Sequence, residues 1–370
     1  MTSTSATARP QKPPIFSLSR RKRMVKILAI TIMAIYSLVT LFPFYALFIR
    51  SFVPTKESTD LHLWIPETED VNLDAEVGNL AVFYDLDLAD LREALGIPPT
   101  EFLMARTTLR EVAEEHNIPE EEITKFFDGF YTNNGWNTIL TGTLQSTTFW
   151  GALVKTLIVT IISLTLLILL SIMTGYGLKG LQRKYQMAVY NIYLLQMVIP
   201  IMLILLPQYL MFQWFYNLFP AYQEDGTVRT AMQLSSLIMI NIKGTALSVM
   251  IFTAAIGAIP KEIEDSAMID GATSWQYMQY ILIPLLKVPI VSLIVIMLPL
   301  LYNQFLEAYV YLDPGNTTLL PFIQSTAGQF STNYQVIYSA VLASVIPLVL
   351  VYLVFRRLFV EGAMSGAVKG

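Results

Sequence analysis

The sequence predicts an all-α, polytopic membrane protein with six transmembrane helices and an extracytoplasmic helical insertion between helices 1 and 2. Apolar residues make up 54% of the 370 residues and charged residues only 14%. The apolar residues are gathered into long runs, and crossing a bilayer takes about 20 of them. One segment, residues 51–150, departs from this pattern with 19 acidic residues against 5 basic ones. These observations together define the fold class.

Six runs are long and apolar enough to be spans: residues 26–49, 152–178, 187–215, 235–259, 285–306 and 336–355. Basic residues cluster before the first run, between the second and third, and after the sixth, all on one side of the predicted membrane. Because short loops rich in Lys and Arg stay in the cytoplasm, we expect both termini to be cytoplasmic.

The acidic segment has a net charge of −14 and lies between the first two predicted spans. It has helical patterns at Asp85–Leu95, at Thr108–His116 with capping-box spacing between Thr108 and Glu111, and at Glu121–Phe130. We expect a small helical domain outside the membrane. Its helix-turn-helix appearance does not predict DNA binding, because acidic charge repels phosphate.

A polar segment, residues 260–284, follows the fourth predicted span and has the pattern of two short helices. Pro260 suits a first helical position, and Glu262 and Glu264 place carboxylates in the first turn, where they complement the helix dipole. Gly271 permits the backbone turn that ends this helix. The segment therefore begins with a helix and a sharp turn.

The second helix of this segment is predicted to begin at a capping box formed by Thr273 and Gln276. Trp275, Met278 and Leu282 would form its apolar stripe. We expect Pro284 to end it.

The spacing of this segment resembles the EAA loop of ABC-type importer permeases. That pattern is Glu-Ala-Ala, three residues, Gly, nine residues, then Ile, any residue, Leu-Pro. Here the matching positions are filled by Asp265-Ser266-Ala267, Gly271, Ile281 and Ile283-Pro284. The resemblance implies that the segment, called the coupling loop below, seats in a groove of a cytoplasmic ATPase subunit. The residues it implies for that contact are Glu264, Asp265, Ser266, Ala267, Asp270, Gly271, Ala272 and Pro284.

Other segments resemble the carbohydrate-importer branch of these permeases, in particular the maltose-type G subunit. Phe42-Pro43 and Ser51-Phe52-Val53-Pro54 are similar to the family's exit from the first span, and Lys155-Thr156-Leu157 to the start of its second, with Lys155 in place of Asn. The last residues, Arg357 to Gly370, are similar to that subunit's short, mobile cytoplasmic tail. Residues 68–132 have no counterpart in an ordinary family member.

The resemblance implies a division of the chain and a set of partners. The division is a cytoplasmic tail at 1–23, helix 1 at 24–50, the acidic extracytoplasmic insertion at 51–148, the permease core at 149–358 and a cytoplasmic tail at 359–370. The implied partners are a second homologous permease, a cytoplasmic ATPase dimer, an extracytoplasmic solute-binding protein and membrane lipid, with no nucleic acid. The implied location is the cytoplasmic membrane of a bacterium.

The sequence contains no motif for catalysis on this chain. Gly175-Tyr176-Gly177-Leu178-Lys179-Gly180 matches Gly-x-Gly-x-x-Gly, but it ends a membrane span instead of following a strand, so it is better read as a flexible helix terminus. No Walker A loop or hydrolase motif occurs. With no cysteine and two histidines, we expect no catalytic residue, metal or cofactor here; ATP and magnesium would bind the partner ATPase.

Six polar side chains within the predicted spans are candidates for a translocation pathway, because polar groups in the bilayer tend to face a cavity or a partner. They are Gln208, Asn241, Lys243, Asn303, Gln304 and Glu307. Asn303 and Glu307 would share a helix face, with Tyr302 and Tyr309 nearby. Hydrogen bonding between helices, or a position at the membrane interface, is the competing explanation for each. Pro200, Pro207, Pro289 and Pro299 are expected to kink the third and fifth spans.

These patterns favour a permease subunit of an ATP-driven, binding-protein-dependent importer for a carbohydrate, specifically an oligosaccharide. A glycerol-phosphate or other polyol cargo is the alternative within transporters. The alternative from another class is a membrane receptor or scaffold whose acidic domain binds a partner without transport. For the insertion itself, docking of the binding protein and a tolerated loop insertion both remain open.

Overall fold

The computed structural model describes residues 20–53, 63–65, 73–84, 88–98, 103–120, 122–123, 135–144, 147–243, 245–326 and 334–367. In these residues the regular structure is helical apart from a two-stranded antiparallel hairpin, β1 (Thr143–Leu144) with β2 (Thr147–Thr148). The all-α prediction is therefore confirmed. The predicted N-terminal tail up to residue 19, and most of the helix predicted at Glu121–Phe130, lie outside the described residues.

In chain order the helices are α1 (Arg20–Arg50), α2 (Val77–Tyr84), α3 (Leu88–Ala94), α4 (Leu109–His116), α5 (residues 135–141), α6 (Phe149–Lys179), α7 (Arg183–Val198), α8 (Ile201–Tyr216), α9 (Pro220–Glu224), α10 (Gly226–Ile242), α11 (Ala246–Gly257), α12 (Lys261–Ile269), α13 (Ser274–Tyr277), α14 (Ile283–Leu285), α15 (Lys287–Tyr302), α16 (Leu306–Tyr311), α17 (Leu319–Ser325) and α18 (Tyr334–Ala367).

Three of these helices, α1, α6 and α18, are each long and apolar enough to cross a membrane. Three further pairs of helices pass the same test together but are bent, by 93° between α7 and α8, 53° between α10 and α11, and 71° between the helical segment Ser274–Leu285 and α15. Among the described residues the number of possible spans is therefore three, or six if each bent pair crosses once. The count of six stays a prediction.

One of the three bends has a local cause in a proline. Pro200 lies between α7 and α8, so the predicted kink there is present. Pro207 lies inside α8 and Pro299 inside α15, and both helices continue through them. α18 continues to Ala367, so most of the segment predicted to be a mobile tail is helical; residues 368–370 lie outside the described residues.

The acidic insertion has a hydrophobic core of its own. Its buried cluster is formed by residues between Val77 and Ile123, and Leu91, Leu109 and Ile123 are completely buried. Burying each such side chain contributes about 1.5–3 kcal/mol. The predicted capping box at Thr108 and Glu111 begins α4. The insertion is thus a small packed helical unit.

The permease core is built around α6. The glycine-rich segment that begins at Gly175, predicted to be a flexible helix terminus, is helical as far as Lys179. Gly175 itself lies against α11. A Cβ at Gly175 would lie 3.1 Å from the backbone N of Thr253, so a larger residue would push the two helices apart by a few tenths of an ångström. The close packing of α6 on α11 places the start of the coupling loop directly beside the end of α6.

Candidate functional site

The coupling loop begins with α12 and turns sharply at Gly271. Pro260 is the N-cap, one position earlier than predicted, and Glu262 and Glu264 lie in the first turn as expected. Gly271 has φ +86°, its N–H donates to Met268 O, and the N–H of Ala272 donates to Ala267 O. This pair of hydrogen bonds is a Schellman motif. The predicted role of Gly271 in the turn is confirmed.

One face of the coupling loop is buried against the spans. Ala267 on α12 is 6% exposed and Tyr277 on α13 is 1% exposed. Both belong to the buried cluster that contains Phe252 of α11 and several residues of α6. The loop is therefore a packed part of the permease core.

Glu264 lies on this inner side and has two partners at the end of α6. Its Oε1 accepts a hydrogen bond of 2.7 Å from the Tyr176 hydroxyl, and its Oε2 lies 3.2 Å from Lys179 Nζ. Burial raises the pKa of the Glu264 carboxyl, but the Tyr176 hydrogen bond and the Lys179 charge outweigh it, so the pKa lies below its ordinary value. Glu264 is thus charged at neutral pH.

The opposite face of the loop is exposed. Asp265, Ser266 and Asp270 point outward, as do two large apolar side chains, Ile269 at 85% exposed and Trp275 at 62%. Ile269 was not singled out from the sequence; the available signal was an isoleucine on the outer side of a polar helix.

The predicted apolar stripe of the second helix is wrong in its first member. Trp275 is exposed, whereas Met278 is half-buried and Leu282 is buried. A π-helical turn at Met278–Leu282 follows α13 and shifts the register, so Tyr277 occupies the inner face. Pro284 also does not end the helix, which continues as α14 to Leu285, because the wider π turn precedes the proline ring.

All six predicted pathway residues line one cavity of about 460 Å³, together with apolar side chains of α6, α8, α10 and α15. The cavity lies between the C-terminal end of α10 and the junction of α15 with α16. Sequence reasoning selected the six one at a time, and the structure brings them together.

Three of the six hydrogen-bond other helices. Asn241 and Gln304 form a reciprocal amide pair, with N···O distances of 3.0 and 3.2 Å, and Asn241 also donates to Ser163 of α6 at 3.3 Å. Gln208 accepts from the Tyr311 hydroxyl at 3.1 Å. The contacts of these three residues therefore agree with the competing explanation, hydrogen bonding between helices.

The other three have side chains that remain available to the cavity. Lys243 and Asn303 are exposed and Glu307 is half-buried, and none bonds another side chain among the described residues. The prediction that Asn303 and Glu307 share one helix face is wrong, because the helix breaks between Tyr302 and Leu306. They nevertheless line the same cavity.

The two predicted neighbouring tyrosines lie differently from each other. Tyr302 is buried and donates to Ser344 O of α18 at 2.8 Å, so it does not face the cavity as expected. Tyr309 is exposed and stacks on the ring of Phe305, which lines the cavity. Among the described residues, no three His, Cys, Asp or Glu side chains lie together as a metal site would require.

The fold and these two sites define a helical protein with helices apolar enough to cross a membrane, a packed polar loop between them and a polar cavity. Residues 167–363, more than half of the chain, match the family model described as binding-protein-dependent transport system inner membrane component. The chain belongs to this family. It is therefore a multi-pass membrane permease subunit of an ABC importer, not an enzyme, and it works with an ATPase and a substrate-binding protein.

Curated relatives include the lactose transport system permease protein of Rhizobium radiobacter, 28% identical over 60% of this chain and 74% of the relative. The melibiose, raffinose and stachyose import permease protein of Bacillus subtilis (strain 168) is 28% identical over 60% of this chain and 76% of the relative. Among solved structures, a bacterial ABC transporter involved in import of the acidic polysaccharide alginate matches with TM-score 0.58 and 14% identity, over 93% of this chain and 99% of that one. This last likeness concerns the fold alone.

Proposed function

We propose that this chain forms half of the transmembrane pathway of an importer for a carbohydrate, specifically an oligosaccharide. The observation that carries the proposal is the coupling loop, which is packed on the spans by one face and presents apolar side chains on the other. The named cargoes of the relatives, which include lactose and raffinose, support a sugar as the solute. A second, homologous permease would supply the other half of the pathway.

The outward face of the coupling loop would bind the ATPase subunit. Ile269 and Trp275 would fill an apolar groove, while Asp265, Ser266 and Asp270 would make polar contacts at its edge. Large apolar side chains surrounded by polar ones are typical of binding surfaces. Ala267, Gly271, Ala272 and Pro284 would act by shaping the loop, since they form its inner face, its turn and its second helix.

The cavity would be this subunit's part of the route for the solute. Lys243, Asn303 and Glu307 offer donors and acceptors, and Phe305 offers an aromatic face. Such a combination suits hydroxyl-rich solutes, which need several hydrogen bonds and one flat apolar surface. Gln208, Asn241 and Gln304 would instead hold the wall of the cavity together. No residue of this chain would bind ATP or magnesium, which belong to the ATPase.

The proposed topology places both termini and the coupling loop in the cytoplasm and the insertion outside. Basic residues flank α1 and the α6–α7 turn on the side of the coupling loop, which supports this orientation. The insertion would then face the solute-binding protein.

The proposal is tested by purifying the tagged chain from its native membrane in mild detergent and reconstituting it with the proteins that accompany it. We expect an ATPase subunit and a second permease to co-elute, and lactose or raffinose with the binding protein to stimulate ATP hydrolysis and uptake. Glycerol 3-phosphate is the matched control solute. Stimulation by glycerol 3-phosphate alone would favour the polyol alternative, and purification without any ATPase subunit would favour a receptor or scaffold.

A further inference from the structure

One carboxylate joins the coupling loop to the last turn of α6. We propose that Glu264 is the positioning residue through which movement of the coupling loop reaches α6 and the cavity. This inference rests on the proposed function and adds a residue that acts through the spans, where the resemblance implied only contact with the ATPase.

The two oxygens of Glu264 are each used by a different residue of α6. Tyr176 and Lys179 are three residues apart, so they lie on the same face of the helix. With the hydroxyl at 2.7 Å and the ammonium at 3.2 Å, the carboxylate is held from two directions. Two contacts fix the orientation of α12 on α6, whereas one would leave a rotation free.

The contact is partly shielded from solvent. The side chain of Glu264 is 19% exposed and that of Lys179 is 23% exposed. Exposed ion pairs are screened and contribute little, but partly buried, charge-assisted hydrogen bonds are stronger and leave a costly unpaired group when broken. The pair is therefore stiff enough to carry a displacement.

Tyr176 also contacts the second helix of the loop. Its ring lies 6.1 Å from the ring of Tyr277, which is almost completely buried on α13. The end of α6 thus contacts both halves of the coupling loop, on either side of the Gly271 turn. A push on the loop as a unit reaches α6 without first deforming the turn.

α6 leads directly to the cavity. Ser163 lies 13 residues before Tyr176, about 20 Å along a rigid helix. The Ser163 hydroxyl accepts from Asn241, which pairs with Gln304 at the junction of α15 and α16. A shift of α6 therefore acts on the residues that hold the cavity wall together.

The experiment uses the absence of cysteine from the chain. Leu300→Cys places a thiol on the cavity wall, and its rate of reaction with a small thiol reagent is measured in the whole reconstituted complex, nucleotide-free and after trapping with ATP and vanadate. The probes are ATP, vanadate and the reagent, so no solute has to be known. Trapped nucleotide is quantified in every sample.

We expect the labelling rate to differ between the two states in the Leu300→Cys parent. Glu264→Gln keeps the size of the side chain and removes its charge, and it should reduce that difference by about tenfold, as for loss of a charge-assisted hydrogen bond. Lys179→Met should have a similar effect, and the double variant should be no worse than the worse single one. The exchanged pair Lys179→Glu with Glu264→Lys should restore the response.

Glu262→Gln is the matched control, because Glu262 is an exposed carboxylate on the same helix. It should leave the response intact.

A full nucleotide-dependent response in Glu264→Gln, or independent effects of Glu264→Gln and Lys179→Met, would overturn the inference. If the Glu264→Gln protein does not assemble, Tyr176→Phe is tested instead, because it keeps the ring and removes only the hydroxyl. An intact nucleotide response in Tyr176→Phe would contradict the inference, and a weakened response would support it. A parent without any nucleotide response would instead contradict the proposed function.

Discussion

The coupling loop and the acidic insertion are both polar helical segments placed between apolar helices, yet they are held in opposite ways. The coupling loop packs into the cluster of the spans, to which Ala267 and Tyr277 belong together with Phe252. The buried cluster of the insertion is made of insertion residues, from Val77 to Ile123. A segment that shares a core with the spans moves with them, while a segment with its own core can fold and change independently.

The largest effect expected from this contrast is that the two segments are accessible from opposite sides of the membrane. Thr100→Cys in the insertion and Met268→Cys in the coupling loop should react from opposite sides of the membrane with an impermeant thiol reagent, because the basic flanks orient the spans. Intact cells and inverted vesicles give the measurement, and the cysteine-free parent is the blank. Reaction of both from one side would end the proposed topology.

The next largest effect concerns the turn of the coupling loop. Gly271→Val puts a β-branched residue at φ +86°, a conformation that such residues resist, so uptake per ATP hydrolysed should fall by about tenfold or more while the protein stays in the membrane. Uptake and ATP hydrolysis are measured together in proteoliposomes.

Gly257→Val is the control for this substitution. Gly257 ends α11, has no positive φ, and a Cβ there meets nothing within 4 Å. We expect uptake close to that of the parent. Wild-type uptake in Gly271→Val would show that the turn has no role in coupling, and would weaken the contrast between the coupling loop and the insertion.

A moderate effect is expected from the insertion. Replacing residues 68–132 by a short Gly/Ser linker should raise the binding-protein concentration for half-maximal uptake by several-fold, because the insertion would hold that partner close. Basal ATP hydrolysis should stay near normal, since the buried cluster of the insertion is separate from that of the spans. An unchanged concentration dependence would mean that the insertion is only a tolerated loop.

The linker replacement removes both the fold and the length of the insertion, and a point variant removes only the fold. Leu109→Ala removes a completely buried side chain and should destabilise the insertion by about 2–5 kcal/mol. Glu115→Ala, on the exposed side of the same helix, is the matched control. If docking depends on the folded insertion, only Leu109→Ala should reproduce the effect of the linker, as measured by uptake against binding-protein concentration.

The smallest effect is a pH dependence within the insertion. Arg110 donates a 2.7 Å hydrogen bond to Asp74, and this bond and the Arg110 charge lower the pKa of Asp74. A carboxylate with a depressed pKa stabilises the fold above its ordinary pKa of about 3.9, and that contribution is lost as the pH falls below it.

Asp74→Asn should therefore make amide hydrogen exchange in α4 slightly faster than in the parent near pH 6. Because both residues are well exposed, the difference should be small. Below the pKa of Asp74 the two proteins should converge. A difference that grows as the pH falls would contradict this assignment of the ion pair.

Features specified by neighbouring residues could be predicted from the sequence. The capping boxes at Thr108 and Thr273, and the turn at Gly271, depend on side chains within a few residues, and all are present. The apolar runs of α1, α6 and α18 are continuous and were recognised by length. Selection of the six cavity residues followed from the rule that polar groups in spans face a cavity or a partner, but their meeting in one cavity was not predicted.

Features specified across the fold could not be predicted. Nothing near Tyr176 indicates that its partner is Glu264, 88 residues away. The π turn after Tyr277 accompanies burial of Tyr277, and not Trp275, in the cluster that the loop shares with the spans. α2 was missed because its residues, Val77–Tyr84, are almost wholly apolar and have no capping signal. The break between α10 and α11 was missed for a different reason: polar Lys243, followed by a capping box at Thr245 and Ser248, is a local signal that was overlooked.

The exposure of α1, and its contact with the last helix of the chain, affect the order in which the protein assembles. Side chains of α1 are exposed from residue 22 to residue 45, and its C-terminal end contacts α18, where Arg50 bonds Tyr338, 288 residues later in the chain. At a synthesis rate of about 5–20 residues per second, α1 waits roughly 15–60 s for that helix to emerge from the ribosome. During this time its contact with α18 cannot form, so insertion of α1 and its assembly with α18 are separate events in the biogenesis of the protein.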